Sequence, residues 1–165
     1  MFQVRIPAKI GVLVVLVLAL GCSPAIKGNT ALKSKDYDTA IADFKQALKA
    51  DPNDHFTRSR LGQAYYRKGQ MDKAVKHLEL LLSQDPADPE APIFLGLAYL
   101  AQGQRTKGFD SFRRYKSNIY REVRNVNAEC DRLQGRLEVS LDEIEHRMFQ
   151  AIADGEQEQR QINQY

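Results

Sequence analysis

The chain has two cysteines, Cys22 and Cys130, and three histidines, His55, His77 and His146, that lie far apart in sequence. Two cysteines cannot make a disulfide framework or a cysteine-rich zinc site, and no histidine falls in a ligand spacing such as H-E-x-x-H. Glu143 and His146 form a lone E-x-x-H, where a di-iron bundle needs two copies and two further glutamates. The sequence also lacks a glycine-rich phosphate loop, a nucleophile elbow and a carboxylate pair. No catalytic residue, metal site or cofactor is expected, and the chain is read as a non-enzyme. The acidic turns at Asp51–Asp54 and Asp85–Asp88 read as caps of the helices that follow them, not as calcium loops. An excess of one charge is missing as well. Without Arg5 and Lys9 the 24 basic residues become 22 against 21 acidic ones, too even a balance to hold a nucleic-acid backbone. Long apolar runs are limited to 11 residues, Ile10–Leu20. As a helix that run covers roughly 17 Å, about half of a bilayer core.

What is present begins with that run. Arg5 and Lys9 precede it in the basic-then-apolar order of a secretory signal peptide. Ala19-Leu20-Gly21-Cys22 resembles the lipobox of bacterial lipoproteins, with Ala19 where the family usually has leucine. The resemblance implies that residues 1–21 are a signal peptide, that cleavage follows Gly21, and that Cys22 is acylated. Several acyl chains on one residue give a stable membrane anchor where a single chain does not. Ser23 is not the aspartate that retains enterobacterial lipoproteins at the inner membrane, so the resemblance implies the periplasmic face of an outer membrane. The alternative is an uncleaved anchor with an unmodified Cys22, which would place Gly21, Ser23 and Pro24 inside a membrane helix. Cleavage leaves 144 of the 165 residues, room for one compact domain.

A fixed offset organises the rest. Leu61-Gly62-x-x-Tyr65 recurs as Leu95-Gly96-x-x-Tyr99, and the same 34-residue spacing relates Gly28, Gly62 and Gly96; Ala40, Ala74 and Gly108; and Phe44, Leu78 and Phe112. Each unit reads as two helices. Residues 60–69 form a stretch ended by glycine, and residues 71–86 carry apolar side chains at 71, 74, 75, 78, 81 and 82 before a proline, one face of a 3.6-residue period. Gly62 and Ala74 are placed where the two helices cross closely, with Tyr65 and Leu78 beside the crossing.

These residues resemble the tetratricopeptide repeat, whose signature is W-x₂-L-G-x₂-Y, A-x₃-F and P over 34 residues. The resemblance implies an all-α fold, a short α-solenoid of about 2.5–3 helix-turn-helix units closed by one or two C-terminal capping helices. The units are a degenerate first one within the anchor region 22–54, a second at 55–88 and a third at 89–118. The family binds proteins and peptides along a concave face. The repeat positions used for this correspond to Phe56, Ser59, Gln63, Tyr66 and Arg67 in the second unit and to Glu90, Ile93, Leu97, Leu100 and Ala101 in the third. Chaperone-binding members hold a C-terminal carboxylate with Lys, Asn and Arg. The corresponding positions here include Ala25, Asn29, Arg60, Glu90 and Phe94, so that clamp is essentially absent. The implied partners are a protein or peptide on the concave face and a membrane at Cys22.

The third unit's first helix, residues 91–103, has almost no polar face, and such a helix must be covered all round. Either the chain's own C-terminal segment or an outside ligand has to cover Ile93, Leu97 and Leu100. The segment singled out to fold back is the seam 119–133. Over 119–153 apolar residues recur in alternating steps of four and three with an extra four between Leu137 and Leu141, which marks a stutter or a break. Gly135 and the capping box of Ser140 and Glu143 predict two helices, about 118–134 and 140–153; one bent helix is the alternative. The seam serves as a cap or as a coiled-coil surface that zips two copies into a homodimer, and residues 154–165 are expected to be disordered. The leading function is a non-enzymatic adaptor lipoprotein of the bacterial envelope. A structural self-association protein is the alternative.

Overall fold

Turns repeat as faithfully as the apolar positions do. In the computed structural model, which describes residues 23–164, the chain turns back on itself at Lys35, Gly69 and Gly103, each at positive φ (63°, 79° and 75°) and each 34 residues from the next. At all three the helix ends in the same way. Asp36 N–H donates to Ala31 C=O at 2.9 Å, Gln70 N–H to Tyr65 C=O at 2.9 Å, and Gln104 N–H to Tyr99 C=O at 2.8 Å. This six-to-one bond around a left-handed residue is the Schellman termination, which satisfies carbonyls the helix leaves unpaired. Glycine supplies it without strain at two of the sites.

The resulting helical hairpins are α1 (Pro24–Lys33) with α2 (Tyr37–Ala50), α3 (His55–Arg67) with α4 (Met71–Gln84), and α5 (Ala91–Ala101) with α6 (Arg105–Phe112). Asp51–Asp54 and Asp85–Asp88 join them. Asp54 accepts the backbone N–H of Thr57 at 2.9 Å, and Asp88 those of Glu90 and Ala91 at 3.0 and 2.6 Å, so these acidic turns serve helix starts. The first pair, expected to be degenerate, is a complete hairpin with Gly28 and Ala31 buried against α2. A small residue on α1 and a large one on α2 are enough to close it.

That pairing recurs in every hairpin. A Cβ added to Gly28 would lie 2.6 Å from the Phe44 ring, and one added to Gly62 would lie 2.6 Å from Leu78. The corresponding atom on Gly96 would run into the Phe112 ring and sit 2.8 Å from the carbonyl oxygen of Gly108. Phe44, Leu78 and Phe112 are fully buried. Each glycine thus opens the space that a side chain sixteen residues later fills. The residue types at 28, 62 and 96 follow from that close packing.

After Tyr115 the repeat gives way to a fourth hairpin, α7 (Tyr120–Gln134) and α8 (Leu141–Ile162). Val126, Cys130 and Leu133 are buried on α7, and Ile144, Met148 and Ala151 on α8; the apolar seam is consumed within the chain. Burial pushes the Cys130 thiol up to about 12, so it is inert as a nucleophile. The break lies at Gly135, where Arg105 of α6 donates to the carbonyls of Leu133 (2.6 Å), Gln134 (3.2 Å) and Arg136 (2.7 Å). A cation is well placed at a helix C-terminus, whose carbonyls lack partners. Ser140 accepts the N–H of Glu143 at 3.2 Å and starts α8.

Residues 154–162, expected to be disordered, are helical. Two features extend α8 beyond its apolar seam. Gly155 lets it approach the first turn of α7 so closely that an added Cβ would lie 2.5 Å from Glu122 N. One turn further on, Glu158 accepts from Arg121 at 2.8 Å and from Arg124 at 2.5 Å. The anchoring of this end is polar and glycine-based, so apolar periodicity does not show it.

Candidate functional site

The inner helices α1, α3 and α5 stand side by side and present their open faces to a groove. On α3, Phe56 is exposed and the Arg60 guanidinium lies over its ring at 5.1 Å. Arg60 in turn donates to both carboxylate oxygens of Glu90 (2.8 and 3.2 Å) and to Gln63 (2.9 Å). This fork-to-carboxylate pair fixes one wall. Two turns along, Arg67 reaches Glu145 of α8 at 2.6 Å, and Tyr66 donates its hydroxyl to the same carboxylate at 2.8 Å. Burial, followed by the Glu145 carboxylate, pushes the Tyr66 phenol far above its ordinary range, so it stays a donor. Arg67 also lies 5.5 Å from the Tyr66 ring and 5.6 Å from that of Phe94.

Through these contacts α8 crosses the inner face of the stack. Phe149 of α8 meets Phe94 of α5 with ring centroids 5.7 Å apart, and Tyr66 meets Phe94 at 5.8 Å, separations typical of favourable aromatic pairs. The apolar helix α5 is therefore covered in cis, but by α8 and not by the seam 119–133, which packs on α6 and α8. Arg105 anchors the end of α7 to α6, and this leaves α8 as the helix free to cross the groove.

The cover is partial. Between α8 and the stack there is a cavity of about 530 Å³ walled by Ile93, Phe94, Tyr115, Phe149 and Ile152, with Arg60, Gln63, Arg67 and Glu90 along its rim. A second space of about 700 Å³ continues from Arg60, Gln63 and Arg67 toward α1, between Phe56 on one side and Asn29, Lys33, Lys35 and Tyr37 on the other. The two share Arg60, Gln63 and Arg67 and so form one continuous groove.

Of the residues expected to bind a partner, Phe56, Gln63, Arg67, Glu90 and Ile93 line this groove. Four do not. Ser59 is buried, with its hydroxyl 3.3 Å from Asp88 at the helix boundary. Tyr66 lies under α8. Leu97 is fully buried in the stack. Leu100 points into the α5–α6 crossing, because Gly108 stands where the other units have alanine, and an added Cβ there would meet Leu100 at 2.7 Å. Other groove residues come from α1 and from the C-terminal hairpin. Subtracting 34 from Gln63 and Arg67 gives Asn29 and Lys33, so the repeat offset itself pointed to the α1 wall. Nothing comparable marked Phe149 and Ile152, which depend on where α8 docks.

His55, His77 and His146 stay apart. His77 stacks on Tyr65 at 5.4 Å with a buried Nδ1 that has no partner, and burial holds its basicity below the usual imidazole range. Glu143 pairs with Arg147 at 3.0 Å. No group of three potential metal ligands occurs among the described residues.

Residues 31–91 match the tetratricopeptide repeat family. The fold is that of a short tetratricopeptide α-solenoid. Solved structures with the same architecture include the tetratricopeptide domain of Sgt2 from Aspergillus fumigatus, 22% identical with a TM-score of 0.55 over 86% of this chain and 80% of that one. The first tetratricopeptide domain of human RPAP3 is 19% identical with a TM-score of 0.55, over 81% and 93% of the two chains. A MamA RS-1 double mutant is 23% identical, with a TM-score of 0.53 over 82% and 75%. At these identities the likeness concerns the fold. The groove described above lies on the inner helices of the tetratricopeptide stack, with α8 laid across one end.

Proposed function

We propose that this protein is a non-enzymatic, lipid-anchored adaptor that holds a protein partner in its tetratricopeptide groove at the bacterial envelope. The observation that carries the reading is the open part of the groove: α8 covers the apolar face of α5 yet leaves a continuous channel from Phe56 to Phe149. A helix laid across the whole face would have filled it. The lipobox resemblance at Cys22 lies outside the described residues. It fits the geometry beside it, since α1 begins at Pro24 and an acyl group on Cys22 would set the stack directly against a membrane surface. No helix among the described residues is long and apolar enough to cross a membrane, and Ser23 is the basis for assigning the periplasmic face of the outer membrane. Self-association through the C-terminal seam is the weaker reading, because Val126, Cys130 and Leu133 are already buried against α8.

The test is a photo-crosslinking residue placed in the full chain in cells, at Gln63 in the groove and at Lys76 on the exposed side of α4. The expected result is an adduct with a distinct protein from Gln63 and none from Lys76, diminished by Cys22→Ala. Equal adducts from both positions, or none from Gln63, would overturn the adaptor. An unmodified Met1 terminus in mass spectra of the mature protein would overturn the lipid anchor.

A further inference from the structure

We propose that the fourth hairpin converts the groove into a two-part docking site whose occupant is an acidic segment of a protein partner that carries an apolar anchor residue. This rests on the adaptor reading and adds the chemistry of the partner.

The two parts of the groove differ in character. Toward α1 the lining includes four cations, Lys33, Lys35, Arg60 and Arg67, and no acidic side chain. Arg60 and Arg67 are partly neutralised by Glu90 and Glu145. Lys33 and Lys35 are exposed and make no ion pair with a described residue. Opposite charges placed in a concave site select and orient an incoming segment. Toward α8 the lining turns apolar, with Ile93, Phe94, Tyr115, Phe149 and Ile152. Phe149 keeps 37% of its surface exposed although its ring touches Phe94, so the end of this pocket is open and apolar. A side chain that entered it would be desolvated on Phe149 and Ile152, and its acidic flank would then run over Arg67 and Arg60 toward Lys33. Phe56, exposed at the opposite rim with Arg60 over its ring, closes the far side. A flat anionic membrane would meet the exposed Lys33 and Lys35 but not the recessed pocket at Phe94 and Phe149, whereas an extended or helical protein segment can engage both.

The probe is a random peptide library selected on the purified full chain. Enrichment of peptides with Asp or Glu flanking Leu, Ile, Phe or Met is expected. Phe149→Ala should weaken a selected peptide by about tenfold through loss of the apolar anchor contact. K33E/K35E should remove the acidic bias, and Lys76→Glu should leave selection unchanged. Binding of a selected peptide to the wild-type chain should also fall as salt rises, because the basic wall is solvent-accessible. This last measurement needs no variant to fold. Enrichment without acidic bias, insensitivity to salt, or an empty selection each overturns the proposal. So does tight binding of the Cys22→Ala chain to phosphatidylglycerol vesicles that is lost in K33E/K35E, with no acidic enrichment. Unbiased peptides that still depend on Phe149 would overturn the acidic assignment and leave the adaptor in place. Absence of a Gln63 adduct in cells would overturn the adaptor whatever the library returns.

Discussion

Gly96→Leu is expected to lower the thermal midpoint of the domain by about 10 °C or more, the equivalent of about 3 kcal/mol in a domain of this size. A leucine gains up to about 1 kcal/mol of helix propensity over glycine. Against that stands overpacking, typically about 1–3 kcal/mol and occasionally more. Two features put this site at the upper end. The Phe112 ring, which an added Cβ would strike, is fully buried and has no room to turn. On the other side the obstacle is the Gly108 carbonyl oxygen at 2.8 Å, a backbone atom that can yield only if α6 moves. The α5–α6 pair also supports α8 and one end of the groove. Circular dichroism melts decide the point; a midpoint unchanged within error would mean that α5 and α6 do not cross at Gly96.

Gly155→Ala is the sharper case, because propensity and packing predict opposite signs. Relieving a mid-helix glycine should stabilise α8 by about 1 kcal/mol. The added Cβ, however, would lie 2.5 Å from Glu122 N, 2.6 Å from its Cα and 2.7 Å from Arg121 C. All three are backbone atoms, so the helices must separate. Separation also loosens the pairs from Arg121 and Arg124 to Glu158. Net destabilisation of about 1–3 kcal/mol is expected, with amide exchange rising first beyond Ala151. Stabilisation by the propensity increment would show that α8 does not reach α7 there.

The repeat stack was legible because its determinants recur at a fixed offset. Glycines 28, 62 and 96 and their partners Phe44, Leu78 and Phe112 are each needed by a contact within one hairpin, and local contacts leave a periodic trace. Even the turns obey the offset, with Lys35 taking the left-handed position held elsewhere by Gly69 and Gly103. Part of the groove was legible for the same reason: Phe56, Gln63, Arg67, Glu90 and Ile93 follow from repeat position alone. Leu100 did not, because a single Ala-to-Gly difference at Gly108 lets it turn into the crossing. The helical end of α8 escaped because its anchors are a glycine and a carboxylate, neither of which adds to an apolar pattern. The covering of α5 by α8 depends on Glu145 meeting Tyr66 and Arg67 and on Phe149 meeting Phe94. These contacts span more than fifty residues and have no counterpart in the repeat.

That long-range contact makes the C-terminal hairpin part of the site, and removing it is the most direct test of the account. A chain lacking residues 118–165 loses the cover over Tyr66 and Phe94, and the burial of such side chains is worth about 1.5–3 kcal/mol each. The truncated stack is expected to aggregate or to bind markedly more of a hydrophobic dye such as anilinonaphthalene sulfonate than the full chain, whose groove α8 covers in part. A truncated stack that stays monomeric and binds no more dye than the full chain would contradict the docking of α8 across the groove.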